Sequence, residues 1–322
     1  MIIVRAFPRI HVALADLGRA TARAYGGAGF ALEGPALAVS AVTSDEQSLI
    51  GFDSLDDQAY REVQDALARL QAHLGRGMPY EFALQRRVRQ HVGLGTKTAL
   101  ILATLQAAAL ASRHELPMSA LQLLSGRGGA SGVGINTFFT GGLVIDSGHR
   151  QGSVSDLLPS SARTPSEIPP VTARLFMPPT WRFRLFLPPG RRVSGQEEKD
   201  FFESAIPVAR AEVLETIALL FNGLAPAVAT EDLGAFASCL SALHQTGFKK
   251  RELGAQTEEV RGLLAEASAL GPAGLSSLGP LVYTVHAEGE APDGLDRMAE
   301  RFEAEDLGTW AARDSGFEVI DE

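Results

Sequence analysis

A glycine loop that runs directly into an almost wholly apolar helix constrains this chain more than any other feature. Residues 91–100 read HVGLGTKTAL, and the apolar run continues through residue 112. A helix that is apolar all round has to be buried, so its N-terminus is held inside the molecule. The loop before it brings Gly93 and Gly95, whose backbone can approach a ligand closely. The first turn supplies Thr96, Lys97 and Thr98. Free N–H groups and the positive end of the helix dipole make such a place an anion site. The threonine hydroxyls can donate to an anion or reach a phosphate-bound metal, and Lys97 adds a full charge. Without Lys97, the threonines and the arginines upstream, a capped turn before a core helix would be the simpler reading.

A second glycine segment, SGRGGASGVG (125–134), places Arg127 among five glycines. Its exposed N–H groups, around Gly128 and Gly129, suit an anion nest. Arg127 can grip phosphate or carboxylate with two prongs, and Ser131 is a further donor. A third stretch, GLSSLGP (274–280), sets Ser276 and Ser277 between glycines; alone it is weak, because Gly-Ser turns are common. Upstream, RIHVALADLG (9–18) alternates Arg9 and His11 on one side of an extended segment, with Asp16 close by. AYGGAGFALE follows with Gly26 and Gly27. The stretch DSGH puts Asp146 and His149 at a strand end. His149 is a candidate general acid or anion ligand, although a lone histidine is more often structural. Arg86, Arg87 and Arg89 extend the basic character before the loop or form a solvated strand face. No zinc, Walker A or dinucleotide-binding signature and no internal repeat is present.

The 322 residues suffice for two domains or one large one. The Pro- and Ser-rich run PSSARTPSEIPP (159–170) is the natural boundary, giving units 1–165 and 166–322. A chain this long can bury its core without disulfides. The single cysteine, Cys239, lies in the apolar run AFASCLSAL and reads as a small core residue. One cysteine fits a reducing compartment, and a cytoplasmic location is expected. A net charge of −9 argues against nucleic acid or an anionic membrane as partner. No apolar run approaches the ~20 residues of a membrane span. Strands are expected at 2–7, 9–18, within 24–42, at 80–91 and at 181–190, with a β-rich run at 273–287. Helices are expected at 55–75, 98–112, in a short piece from 119, and at about 197–222 and 231–246. A hairpin is expected at 135–149.

Taken together, GLGTKTA and GLSSLGPLVY, in this order and separation, resemble the GHMP kinase superfamily. Within it the chain is most similar to the β-ribofuranosylaminobenzene 5′-phosphate synthase family. That resemblance is carried by RIHVALADL, YGGAGFALE, GLGTKTAL, GRGGASGVG, GGLVIDSGH, SGQEE and HQTGFKKRELGAQ, over most of the chain. The pair GRGGASGVG and DSGH is its specific part. The resemblance implies a two-domain α+β fold. The first half would hold a sheet and the phosphate loop, the second a ferredoxin-like sheet with helices, and the active site would lie in the cleft between them.

It also implies a reaction. Phosphoribosyl pyrophosphate and a para-substituted benzoate, 4-aminobenzoate or 4-hydroxybenzoate, give a β-ribofuranosyl arene 5′-phosphate, CO₂ and pyrophosphate, in tetrahydromethanopterin-type cofactor synthesis. Mg²⁺ and a homodimer are implied with it; the metal ligands are left open. Lys97 stands where the superfamily's loop usually carries Ser, which fits a fixed positive charge beside a leaving pyrophosphate, shared with Arg127. Arg9, His11 or His149 would dock the benzoate carboxylate. The competing readings are an ATP-dependent small-molecule kinase of the same fold and a non-catalytic anion-binding protein.

Overall fold

The computed structural model describes every residue except 76, 78, 86–88, 155, 190–194 and 322. Arg86 and Arg87 therefore lie outside the described residues. The glycine-led helix spans Thr96–Ala111. Its Ala99–Leu105 and Ala107–Ala109 positions are all buried, packed with Val4, Val39, Leu67, Leu70 and Phe82. Beside it runs the helix Asp57–Leu74, whose Ala59, Val63, Ala66, Leu67 and Leu70 form one apolar stripe at helical spacing. Asp56 caps that helix by accepting from Ala59 N at 2.8 Å, and Gly75 ends it in the left-handed region at φ 66°.

Both helices cover a five-stranded sheet. Ile2–Ala6, Leu37–Thr43 and Tyr80–Leu84 pair antiparallel in its centre, with Glu318–Asp321 and Ser48–Ile50 at its edges. A second sheet joins Arg9–Asp16, Arg23–Ala31, Leu143–Asp146 and Val171–Leu175. A bulge between His11 and Ala13 re-aims the side chains there. The third sheet orders Ala273–Leu275, Val282–Ala287, Trp181–Leu187 and Glu305–Ala311. Phe30 of the second sheet meets Phe183 of the third at 4.6 Å between ring centroids, and the two sheets share one apolar core. Two strands from beyond residue 165, Val171–Leu175 and Glu318–Asp321, pair with strands from before it.

Two expectations change. The segment 135–149 is not a hairpin: Val133–Thr140 is a helix, and only Leu143–Asp146 is a strand. Its β-branched and aromatic residues read as strand, but Ile135 and Phe138 fall on one buried helical face. The long helix at 197–222 is two, Gln196–Ala205 and Arg210–Leu219. They part at Pro207, which has no N–H to donate and crowds the preceding turn. The second continues through a π-helical turn, Leu220–Leu224, into Ala225–Ala229. By length and composition the resulting Arg210–Ala229 run could cross a bilayer, with mean hydropathy 1.4. Its Val213, Leu220, Leu224 and Val228 instead pack into the protein's own cores.

Candidate active site

A cavity of about 190 Å³ opens at the start of the Thr96–Ala111 helix, where the glycine loop, the second glycine segment and residues 277–279 converge. The loop takes this path because of its glycines. Gly93 and Gly95 have φ 98° and 68°. A Cβ on Gly93 would lie 2.8 Å from Ser276 O, and one on Gly95 would lie 2.9 Å from Arg9 Nε. Gly95 caps the helix without any side-chain acceptor, so the first-turn N–H groups are not consumed by a cap.

Lys97, Arg127 and Thr98 form one cluster on that first turn. Lys97 Nζ donates to Glu62 Oε1 at 2.9 Å, and Arg127 Nη1 donates to Glu62 Oε2 at 3.1 Å. Arg127 Nε reaches Thr98 Oγ1 at 3.2 Å. Thr96 Oγ1 donates to Arg89 O, and Arg89 itself pairs with Glu305 at the surface. Glu62 is therefore an anion already seated between the two cations at the helix N-terminus.

Behind the second glycine segment lie residues that frame the cavity without lining it. His149 is wholly buried. Its Nε2 is 2.9 Å from Gly128 O, its ring meets the edge of Tyr25, and burial lowers its pKa. Arg163 Nη1 donates to Gly129 O at 2.6 Å, and a Cβ on Gly129 would lie 2.4 Å from Arg163 O. Gly26 N donates to Ala130 O. A Cβ on Gly27 would lie 2.5 Å from Ala13 O and 3.1 Å from the His11 ring. The Asp16 carboxylate accepts from the N–H groups of Gly18, Ala20 and Thr21 and so closes a turn. Ser131 lines the cavity and donates to Asp146 at 2.8 Å. Burial pushes the Asp146 carboxyl up to about 6.

The floor is a buried polar cluster. Arg9 Nη1 donates to Gly93 O at 2.7 Å, while its Nε has no partner. Burial, and then the Arg127 charge, lower Arg9 to about 10. His11 Nδ1 is likewise unpartnered. Burial, then Arg9 and Lys249, hold His11 well below its ordinary value, so it is neutral near pH 7. Ser276 Oγ accepts from His11 N at 3.0 Å and donates to Gly93 O at 2.6 Å, tying loop to strand from behind. Ser277 faces the cavity. Its Oγ accepts from Lys249 Nζ at 2.6 Å and donates to Glu252 Oε2 at 2.8 Å. Lys249 and Glu252 are 2% and 1% exposed and 2.8 Å apart.

Of the residues singled out in the sequence, Arg9, His11, Gly93, Gly95, Thr96, Lys97, Thr98, Arg127, Gly128, Ser131 and Ser277 line the cavity. Asp16, Gly26, Gly27, Gly129, His149 and Ser276 stand behind it. Glu62, Lys249 and Glu252 were missed. Glu62 looks like one more charge on an amphipathic helix. Lys249 and Glu252, three apart in HQTGFKKRELGAQ, carried a signal in that matched stretch, but their burial is a tertiary fact. Among the described residues no group of three or more His, Cys, Asp or Glu is placed to hold a metal.

No family model matches the chain. It is 33% identical over 297 residues to the β-ribofuranosylphenol 5′-phosphate synthase of Methanothermobacter thermautotrophicus, covering 89% of each chain. It is 33% identical over 326 residues to the protein of the same name from Archaeoglobus fulgidus, covering 99% of each. Among solved structures, homoserine kinase from Cytophaga hutchinsonii superposes with a TM-score of 0.72 at 17% identity, over 99% of this chain and 97% of that one. Streptococcus pneumoniae phosphomevalonate kinase gives 0.69 at 14%, over 95% and 98%. These two share the fold.

Proposed function

Because the chain belongs to the family of β-ribofuranosylphenol 5′-phosphate synthases, we propose that it joins phosphoribosyl pyrophosphate to a para-substituted benzoate, releasing CO₂ and pyrophosphate. The relatives' name makes the phenol, from 4-hydroxybenzoate, the first product to look for, with 4-aminobenzoate as the other acceptor. The observation that carries this reading is the pairing of Lys97 and Arg127 on one carboxylate at an uncapped helix N-terminus. Two fixed cations at that place suit a departing pyrophosphate.

The donor's phosphates would take the loop N–H groups, with Lys97 and Arg127 stabilising the charge that grows as the C1–oxygen bond breaks. The ring carbon bearing the carboxylate attacks ribose C1, and loss of CO₂ restores the aromatic ring. No protein nucleophile is required. The chain's tasks are orientation and exclusion of water from an oxocarbenium-like carbon. Neutral His11 suits the benzoate carboxylate better than a tight arginine pair, since a strong grip on the carboxylate opposes decarboxylation. His149, behind Gly128, would act on the loop's shape.

The donor set fits Mg²⁺ brought in on the donor's phosphates, with Glu62 as the protein's carboxylate. When bound, the ion would neutralise phosphate charge. Carboxyl-labelled 4-hydroxybenzoate and 4-aminobenzoate, each with phosphoribosyl pyrophosphate and Mg²⁺, test the reading. Labelled CO₂ that depends on the donor is expected. ADP formation from ATP without CO₂ would move the protein to the kinases of its fold.

A further inference from the structure

The cavity has two chemically different ends. At one, Lys97 and Arg127 offer charge to phosphate. At the other, Leu14, Phe202 and Leu278 belong to one apolar cluster, and Ser160, Glu198 and Ser277 complete the lining there; of these Ser277 is the one bonded to a buried ion pair. An arene with one polar substituent matches that end. Behind Ser277 stand two charges that the reaction as described above does not use. Lys249 and Glu252 are almost fully buried, which isolated charges essentially never are. Lys249 is satisfied by Leu275 O, Ser277 Oγ and Glu252. Glu252 is only half satisfied: Oε2 accepts from Ser277 and Lys249, and Oε1 has no partner.

We infer that Ser277 receives the acceptor's para substituent and that Glu252, through Ser277, takes up and returns the proton of a para hydroxyl. This assignment rests on the reaction proposed above. The Ser277 oxygen has two lone pairs. One accepts from Lys249, the hydroxyl proton is already aimed at Glu252, and the second lone pair is left for a donor from the cavity that Ser277 lines. A phenol O–H donating to that second lone pair completes a wire from phenol to Ser277 to carboxylate.

The electron flow balances. As the ring carbon bonds to ribose C1, the pair in the C1–oxygen bond leaves with pyrophosphate, and the ring becomes a cation whose para carbon carries C=OH⁺. That proton is strongly acidic, so even a carboxylate held by Lys249 is base enough. It moves to Ser277 as the Ser277 proton moves to Glu252, leaving a neutral dienone. The C–CO₂ bond then breaks, its pair returns to the ring, and the dienone oxygen recovers the proton along the same path. With a para amino group the corresponding C=NH₂⁺ is far less acidic and keeps its protons. The relay therefore favours the hydroxy acid over the amino acid. Arg9 is a further charge felt by both members of this pair, and His11 and His244 also face Lys249.

The test compares Ser277→Ala and Glu252→Gln with the unchanged protein, measuring kcat/KM for 4-hydroxybenzoate and 4-aminobenzoate at saturating donor. General acid–base assistance is worth roughly 10²–10⁴-fold, so the deficit with the hydroxy acid should exceed that with the amino acid by about tenfold or more. Equal deficits in folded variants would reduce Ser277 and Glu252 to structural roles and overturn the assignment. If only the hydroxy acid reacts, 3-fluoro-4-hydroxybenzoate, whose hydroxyl is more acidic, replaces the amino acid; the deficit should shrink with it, and an unchanged deficit overturns the relay. Should Glu252→Gln fail to fold because Lys249 is left unpaired, Ser277→Ala, which deletes one oxygen, decides. An unchanged protein that releases CO₂ from neither acid would instead overturn the reaction itself, a different failure.

Discussion

Glu62 and Lys97 meet at 2.9 Å across the mouth of the glycine loop, and the second Glu62 oxygen holds Arg127 at 3.1 Å. An incoming phosphate without its metal must compete with that carboxylate for both cations. Glu62→Gln removes the competitor and should tighten binding of metal-free inorganic pyrophosphate. A charge-assisted hydrogen bond is worth roughly 1.5–3 kcal/mol, so a gain of about tenfold is expected by calorimetry. The same variant should lose activity with Mg²⁺ present. Weaker metal-free binding would show that Glu62 shapes the site instead of occupying it.

Lys97→Ala should act on the donor side. If Lys97 meets the leaving pyrophosphate, kcat falls along with the rise in donor KM, by roughly 10–100-fold in kcat/KM. Lys97→Arg should rescue only in part, because a planar fork cannot replace a point charge. Steady-state kinetics with each substrate varied in turn decide it, and a defect confined to the benzoate KM would place Lys97 on the carboxylate.

Gly27→Ala should unsettle the strand pair that carries His11. The added methyl would lie 2.5 Å from Ala13 O and 3.1 Å from the His11 ring. Overpacking of this kind costs about 1–3 kcal/mol. A melting temperature lower by several degrees, with a raised benzoate KM, is expected; an unchanged melt would mean the strands part without cost.

Asp146 ties stability to pH. Burial raises its carboxyl to about 6, against about 3.9 in an unfolded chain. The folded state therefore holds this proton more tightly than the unfolded state does. Its contribution is fully present below about pH 3.9 and is lost as pH rises through about 6, on the order of 2–3 kcal/mol. Asp146→Asn keeps an acceptor for Gly148 N and removes the titration. Urea unfolding near pH 4 and near pH 7 should show the variant gaining on the parent as pH rises. A constant difference would place the Asp146 carboxyl at an ordinary value.

The glycine loop and the helix it opens were legible because their requirements are local: Gly93, Gly95 and an apolar helix are adjacent in the chain. The match to relatives was legible for the same reason, as motifs are contiguous words. What the words do not state is which way a buried face turns. His149 sits in the specific stretch DSGH, yet its Nε2 spends itself on Gly128 O, a contact across 21 residues. Glu62 is indistinguishable in sequence from the solvated acids of its helix until the fold lays it against Lys97. The helix at 133–140 was misread because Ile135, Phe138 and Phe139 suit a strand equally well, and only packing against the Thr96–Ala111 helix chooses between them.

Ser276 has a consequence in time. Its hydroxyl joins His11 N to Gly93 O, a span of 265 and 183 residues respectively. At a synthesis rate of about 5–20 residues per second, the stretch from Gly93 to Ser276 takes roughly 10–40 s to emerge. For that interval the glycine loop and its helix exist without their rear tie, and the cationic pair of Lys97 and Arg127 has no fixed backdrop. A ribosome stalled before residue 276 would carry both glycine segments and no assembled site. The glycine loop is thus written early in the chain and finished late.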